Sequence, residues 1–143
     1  LVSTSGNTVA VTIEGKDYLG QKMVEQITLN GATAVEGKKA FKLIEKVSTA
    51  ANATADITIE TKGVVGLEFC ALGKDNIAKN GVADTTMAIT VGSRTQSATS
   101  ADTRGTLDIS SATAGDVVDV VYNVTDYVAD DKGGLFGVPH YAG

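Results

Sequence analysis

Side chains able to do chemistry are sparse in this chain, so their spacing is weighed first. There is one histidine, His140, and one cysteine, Cys70. A Ser-His-Asp set would need His140 as its base. No Gly-x-Ser-x-Gly elbow is present, and His140 follows Pro139 close to the last residue. Tail segments rarely hold a base with the precision that proton transfer requires, so His140 reads as a surface or interface histidine. A zinc site would have to draw most of its ligands from carboxylates. Asp126, Asp130 and Asp131 cluster, but their spacing matches no EF-hand loop and reads as a solvated acidic turn. The stretch Gly31 to Lys39 ends in Gly37-Lys38-Lys39 without the spacing or the following hydroxyl of a phosphate loop. With 17 acids, paired carboxylates of the glycosidase type are arithmetically available. Sugar sites, however, use aromatic platforms, and this chain has no Trp and only 5% aromatic residues. The expectation is a protein that is not an enzyme, with no catalytic, cofactor-binding or metal-binding residues.

Composition narrows the class of fold. A chain of 143 residues can bury a sizeable single core without disulfides or metal. It contains 18 Thr, 18 Ala, 17 Val and 16 Gly, with a single Pro. Val and Thr favour pleated strands because their branched Cβ loses rotamer freedom in a helix. Glycine in that number marks turns. The net charge of −5 supplies no basic footprint for nucleic acid, and no apolar run approaches the length of a membrane span. The start, Leu1-Val2-Ser3-Thr4, lacks the positive region of a signal peptide and lacks Met, so the chain reads as processed or trimmed. Cys70 lies in the apolar run Leu67-Glu68-Phe69-Cys70-Ala71-Leu72 and reads as a buried structural thiol.

The elements that must position any site are strands. Thr8 to Glu14 alternates, with Val9, Val11 and Ile13 on one face. Met23 to Leu29 places Met23, Ile27 and Leu29 on one face, interrupted by Glu25. Further strands are expected at Asp56 to Thr61, Val64 to Leu72, Thr85 to Val91 and Gly105 to Ser110, with a well-buried one at Val117 to Val124. Asn30-Gly31, Asn80-Gly81 and Lys132-Gly133-Gly134 separate them as turns. Ala40 to Val47 fits either a short helix or a strand, and the β-rich flanks favour strand. Thr49 to Thr54 and Arg94 to Thr103 read as exposed loops. The expected fold is all-β, a single domain over 1–143 built as a β-sandwich or jelly-roll-like barrel. Extended segments at 1–7 and 133–143 are candidate docking arms. The second holds Leu135, Phe136, Val138 and Tyr141 between glycines. It either folds back to cap the core or docks on a neighbouring subunit through these four partner-interface candidates.

One stretch carries a resemblance. Glu25-Gln26-Ile27-Thr28-Leu29-Asn30-Gly31, followed by Val35-Glu36-Gly37-Lys38-Lys39-Ala40-Phe41-Lys42-Leu43-Ile44, resembles a pattern in small β-sandwich structural proteins of tailed bacteriophages. The family is the head decoration, or cement, proteins that coat icosahedral capsids. The match spans residues 25–44, and the remainder is similar only in its β-rich style. The resemblance implies a virion protein on the outer capsid surface, made in the host cytoplasm. It would stabilise adjacent subunits of the major capsid protein, and bind no nucleic acid and no membrane. It would also associate with itself, as a homodimer ahead of a trimer. No site residue carries over. The competing expectation is a receptor- or glycan-binding module of a phage fibre or bacterial adhesin, with a concave site lined by Tyr18, Tyr122, Tyr127 or Tyr141.

Overall fold

The computed structural model describes residues 2–3, 7–124 and 139–143. The fold is all-β, and no helix occurs among the described residues. In chain order the strands are β1 (Val2–Ser3), β2 (Ala10–Lys16), β3 (Lys22–Thr28), β4 (Leu43–Thr49), β5 (Ile57–Thr58), β6 (Val64–Gly66), β7 (Ala71–Lys79), β8 (Val82–Ala83), β9 (Ala88–Val91), β10 (Gly105–Asp108) and β11 (Val118–Val124). Every pairing between them is antiparallel. The chain divides into two compact units, one of Leu1–Thr61, Ser97–Ser100 and His140–Gly143, the other of Lys62–Gln96 and Ala101–Pro139.

The first unit holds the sheet β3-β2-β4 and the ribbon β1-β5. β2 and β3 form a hairpin closed at Asp17, whose carbonyl accepts from the Gly20 N–H at 3.1 Å. Along β2 burial alternates as the period-two pattern requires, with Val11 and Ile13 inside. They meet Ile27 and Leu29, and Val9, Val35, Phe41 and Ile57 close the cluster. Asn7, in the segment expected as an arm, is buried. Its side chain donates to the Ala55 carbonyl at 2.9 Å and accepts from the Thr54 N–H at 2.8 Å, which pins the exposed loop around Thr54.

The ambiguous stretch 40–47 is a strand from Leu43 onward. Its register slips between Gly15, opposite Ile44, and Glu14, opposite Lys46, so Glu45 is an extra residue. A bulge of this kind turns neighbouring side chains to one face. Glu45 reaches Lys16 at 2.8 Å and Lys46 reaches Glu14 at 2.7 Å. Both partners lie on the face of β2 opposite Val11 and Ile13. Phe41 packs on the core before the strand begins. It and Ile44 therefore need not share one strict strand face.

The second unit holds the sheets β6-β10-β9 and β11-β7-β8. Leu67, Ala71, Ile77, Met87 and Leu107 form its core, and Cys70 is fully buried as expected. Four details differ from the sequence reading. The strand expected over Val64 to Leu72 breaks after Gly66, because Leu67, Cys70 and Ala71 all bury and no two-residue period allows that. The chain leaves one sheet there and enters the other. β7, the longest strand, carries after Leu72 only one large apolar residue, Ile77, and its pairing with β11 on one side overrides that weak local pattern. β11 is half-buried rather than well buried: Val118, Val120 and Tyr122 pack on the core while Val121 faces out. Within the stretch 94–103, Asp102 and Thr103 are buried alongside Arg104, and the Asp102 carboxylate accepts from the Arg104 N–H at 2.9 Å.

The turn Asn80-Gly81 joins β7 to β8 as its sequence requires, with φ of 53° and 78°. Its Asn80 side chain donates to Asp116 at 2.7 Å and accepts from the Val117 N–H at 2.8 Å, tying the turn to the start of β11. The Thr113 N–H and then the Asn80 amide hold the Asp116 carboxyl below its ordinary range.

Met87 is almost completely buried in the core and Val82 is exposed. Met87→Ala is expected to lower unfolding stability by roughly 2–5 kcal/mol, and Val82→Thr to change it by no more than about 0.5 kcal/mol. Urea melts of the two variants check the difference, and equal effects would contradict this core.

Candidate functional site

β3 is an outer strand of its sheet, yet Met23, Val24 and Glu25 are all buried. Its outward-facing backbone groups therefore need partners other than water. They come from far along the chain. The Val24 N–H donates to the Tyr141 carbonyl at 2.8 Å, and the Gln26 N–H to the Ala98 carbonyl at 2.7 Å. The Lys39 ammonium, buried, donates to the Val24 carbonyl at 2.7 Å and to the Ser97 carbonyl at 2.8 Å. Three separated stretches thus seal one strand edge.

The interruption noted at Glu25 is part of the same arrangement. One Glu25 carboxylate oxygen accepts from the Lys38 N–H. A methyl group on Gly37 would stand 2.8 Å from the other oxygen, so the loop wraps the carboxylate closely only because residue 37 has no side chain. Burial pushes the Glu25 carboxyl above its ordinary range, opposed by the Lys38 N–H and by the nearby Lys39 charge. A displaced acid of this kind is a common mark of catalytic sites. Here it faces its own loop, and the arrangement serves to hold residues 36–39 onto β3.

A second buried acid lies at the hairpin. Asp17 accepts from the Gln21 N–H at 2.8 Å through one oxygen, and its other oxygen lies 3.1 Å from His140 Nε2. The two side chains are 5% and 1% exposed. Of the two expectations for His140, surface or interface, the first is corrected: His140 is a buried partner of an acid 123 positions away. No local pattern announces such a pairing, because its two halves share no spacing in the sequence.

Of the four interface candidates, Tyr141 is half-buried with its carbonyl on Val24. Leu135, Phe136 and Val138 lie outside the described residues, as do Asp126, Asp130, Asp131 and Tyr127. Tyr18 is exposed at the hairpin tip, with the Lys42 ammonium 5.1 Å from its ring centre. Tyr122 serves the core of the second unit, its hydroxyl accepting from the Phe69 N–H at 3.3 Å. Among the described residues no three metal-ligating side chains gather.

The surface that the sequence reading missed is β4. It pairs with β2 on one side, and among the described residues no strand pairs with its other edge. Leu43, Ile44 and Val47 are 52%, 43% and 39% exposed. Three large aliphatic residues in one short stretch were the available signal. The sequence reading leaves 40–47 as a short helix or a strand and does not say which of its residues are exposed. No family model, no curated protein and no solved structure matches the chain, so the reading of this surface rests on its own geometry.

Two outcomes follow from the Glu25 arrangement. Gly37→Ala should destabilise the fold by roughly 1–3 kcal/mol, because the carboxylate it meets is itself buried and bonded. A carboxyl whose folded value lies above its unfolded one binds its proton more tightly in the folded chain. Its charged form opposes folding, and stability falls as pH rises from the ordinary value of 4.5 through the folded value. The melting temperature of Glu25→Gln, measured against the parent, should therefore gain as pH rises across that window. A difference that stays constant with pH would contradict the burial of the charge.

Proposed function

We propose that the chain is a structural virion protein that binds the outer surface of an icosahedral phage capsid and cements adjacent major capsid protein subunits. The observation that carries this reading is the edge of β4 that no strand pairs among the described residues, with Leu43, Ile44 and Val47 exposed along it. An exposed strand with apolar side chains is a template for an added strand from another chain. The backbone supplies the hydrogen bonds and the aliphatic residues the buried area. The resemblance to cement proteins over residues 25–44 supports the reading, because the stretch ends at Leu43 and Ile44, where this edge begins. The same reading takes the sheets as parts of a jelly-roll-like β-sandwich.

The mechanism is mass action. A protein that binds only the assembled lattice stabilises it over its dissociated subunits, and many such contacts over a shell add together. The ion pairs Lys16–Glu45 and Glu14–Lys46 lie beside the edge and are partly exposed. They contribute little to stability, about 0–1 kcal/mol each, and give the rim balanced charge.

Density-gradient sedimentation of material from the native source tests the proposal. The chain should migrate with megadalton particles in fixed stoichiometry to a larger shell protein. Ile44→Asp and Val47→Asp should keep the melting temperature close to that of the parent and lose the particles. Migration only as a small free species would overturn the cement reading and make a glycan-binding screen the next measurement. Full particle binding by both variants would remove β4 as the contact surface.

A further inference from the structure

Two Asn-Gly pairs punctuate the chain, Asn30-Gly31 and Asn80-Gly81. Such a pair is chemically unstable, because glycine has no side chain to shield its nitrogen from the asparagine amide carbon. The fold treats the two pairs differently. At Asn30-Gly31 the nucleophile is engaged. The Gly31 N–H donates to the Asn7 carbonyl at 2.8 Å, and Asn7 is buried with its side chain held by Thr54 and Ala55. At Asn80-Gly81 the nucleophile is open. Gly81 is exposed, its N–H makes no hydrogen bond among the described residues, and a Cβ placed on it would meet nothing within 4 Å.

What restrains the second pair is the electrophile. The Asn80 amide donates to Asp116 at 2.7 Å and accepts from the Val117 N–H at 2.8 Å. Asp116 is set in place by the Thr113 N–H at 2.9 Å and the Thr113 hydroxyl at 3.0 Å. These groups hold its carboxyl below the ordinary range, so it is charged at neutral pH. Both bonds to Asn80 lie at the surface, where water competes for each partner. They open more often than the bond to the buried Asn7 carbonyl, which needs a larger local unfolding.

We propose that Asn80 is a site of spontaneous deamidation guarded by Asp116, and that its conversion unfastens the β7–β8 turn from the start of β11. The Gly81 nitrogen, after losing its proton to hydroxide, attacks the Asn80 Cγ. The N–Cγ bond forms, the Cγ–Nδ2 bond breaks, and the side-chain nitrogen leaves as ammonia with a proton from water. The succinimide ring then takes up one water, which opens it to aspartate or isoaspartate. Either product replaces the Nδ2 donor with a carboxylate facing the charged Asp116, and like charges at hydrogen-bonding distance repel. Isoaspartate also adds a methylene to the backbone of a turn that pairs Lys79 with Val82. The proposal is independent of the capsid reading, which concerns β4 of the first unit.

Peptide mapping of the full chain, incubated at mildly alkaline pH and sampled over time, locates where an amide has become an acid. In the folded parent, conversion should accumulate at Asn80 and lag several-fold behind at Asn30. In urea the two positions should convert at similar rates, because only the fold separates them. Asp116→Ala should raise the rate at Asn80 roughly three- to tenfold, the worth of one hydrogen bond to a charged group at the surface, and leave Asn30 unchanged. Faster conversion at Asn30 than at Asn80 in the folded parent, or none at Asn80, overturns the proposal. An Asp116→Ala rate equal to the parent's overturns it equally. Should that variant fail to fold, the comparison of the two positions in the parent decides without it. Asn80→Asp reproduces one product and tests the unfastening. Its melting temperature should fall below the parent's, and Asp116→Ala should cost much less on that background than alone. An unchanged melting temperature, or equal costs on both backgrounds, overturns that part.

Discussion

The outer edge of β3 sets the terms for the first unit. A strand at the margin of a sheet ordinarily turns its unpaired N–H and C=O groups to water. β3 is instead buried through Met23, Val24 and Glu25, so each outward group must be met by protein. Tyr141, Ala98 and the Lys39 ammonium meet them. This one requirement draws three stretches of chain to the same place and explains why residues 97–100 and 140–143 group with a unit that otherwise ends at Thr61.

Charge is used differently on the two faces of that unit. Inside, Glu25 is held by the Lys38 N–H and Asp17 by the Gln21 N–H and His140, and Lys39 donates hydrogen bonds to carbonyls. A buried ion gains little net stability over a well-packed apolar substitute, yet removing one partner leaves a charge in a poor solvent. Such contacts therefore specify which segment sits where more than they add to the total. Outside, the Glu14–Lys46 and Lys16–Glu45 pairs are screened by water, and the bulge at Glu45 is what sets them side by side.

The sheet β3-β2-β4 thus has two unlike edges. β3 is sealed by its own chain. The outer edge of β4 pairs with no strand among the described residues and is lined by Leu43, Ile44 and Val47. Natural sheets commonly blunt an exposed edge with charges and bulges. β4 has both in Glu45 and Lys46, but it keeps its aliphatic residues on either side of them. That combination limits indiscriminate pairing and leaves apolar area exposed on either side of the bulge.

Much of the fold was legible because local periodicity and side-chain burial agree in it. Val9, Val11 and Ile13 read as one face and form one, Cys70 reads as buried and is, and Asn80-Gly81 makes the two-residue turn its φ preferences allow. The all-β class follows from the same cause, since branched residues at alternate positions suit a pleated surface whatever lies beyond it. What the sequence could not disclose are the choices made between distant residues. β7 exists because β11 lies beside it, not because Gly73 to Lys79 alternates. The chain breaks at Leu67 to Cys70 because two sheets claim its two ends. Asp102 and Thr103 read as loop and bury. His140 finds Asp17 across 123 positions, and Glu25, which looks like an interruption of a strand, anchors the loop that follows it. Local patterning reports only which face a residue prefers. Which groups satisfy a buried donor or carboxylate is decided when the chain closes on itself, because only then are the partners within hydrogen-bonding reach.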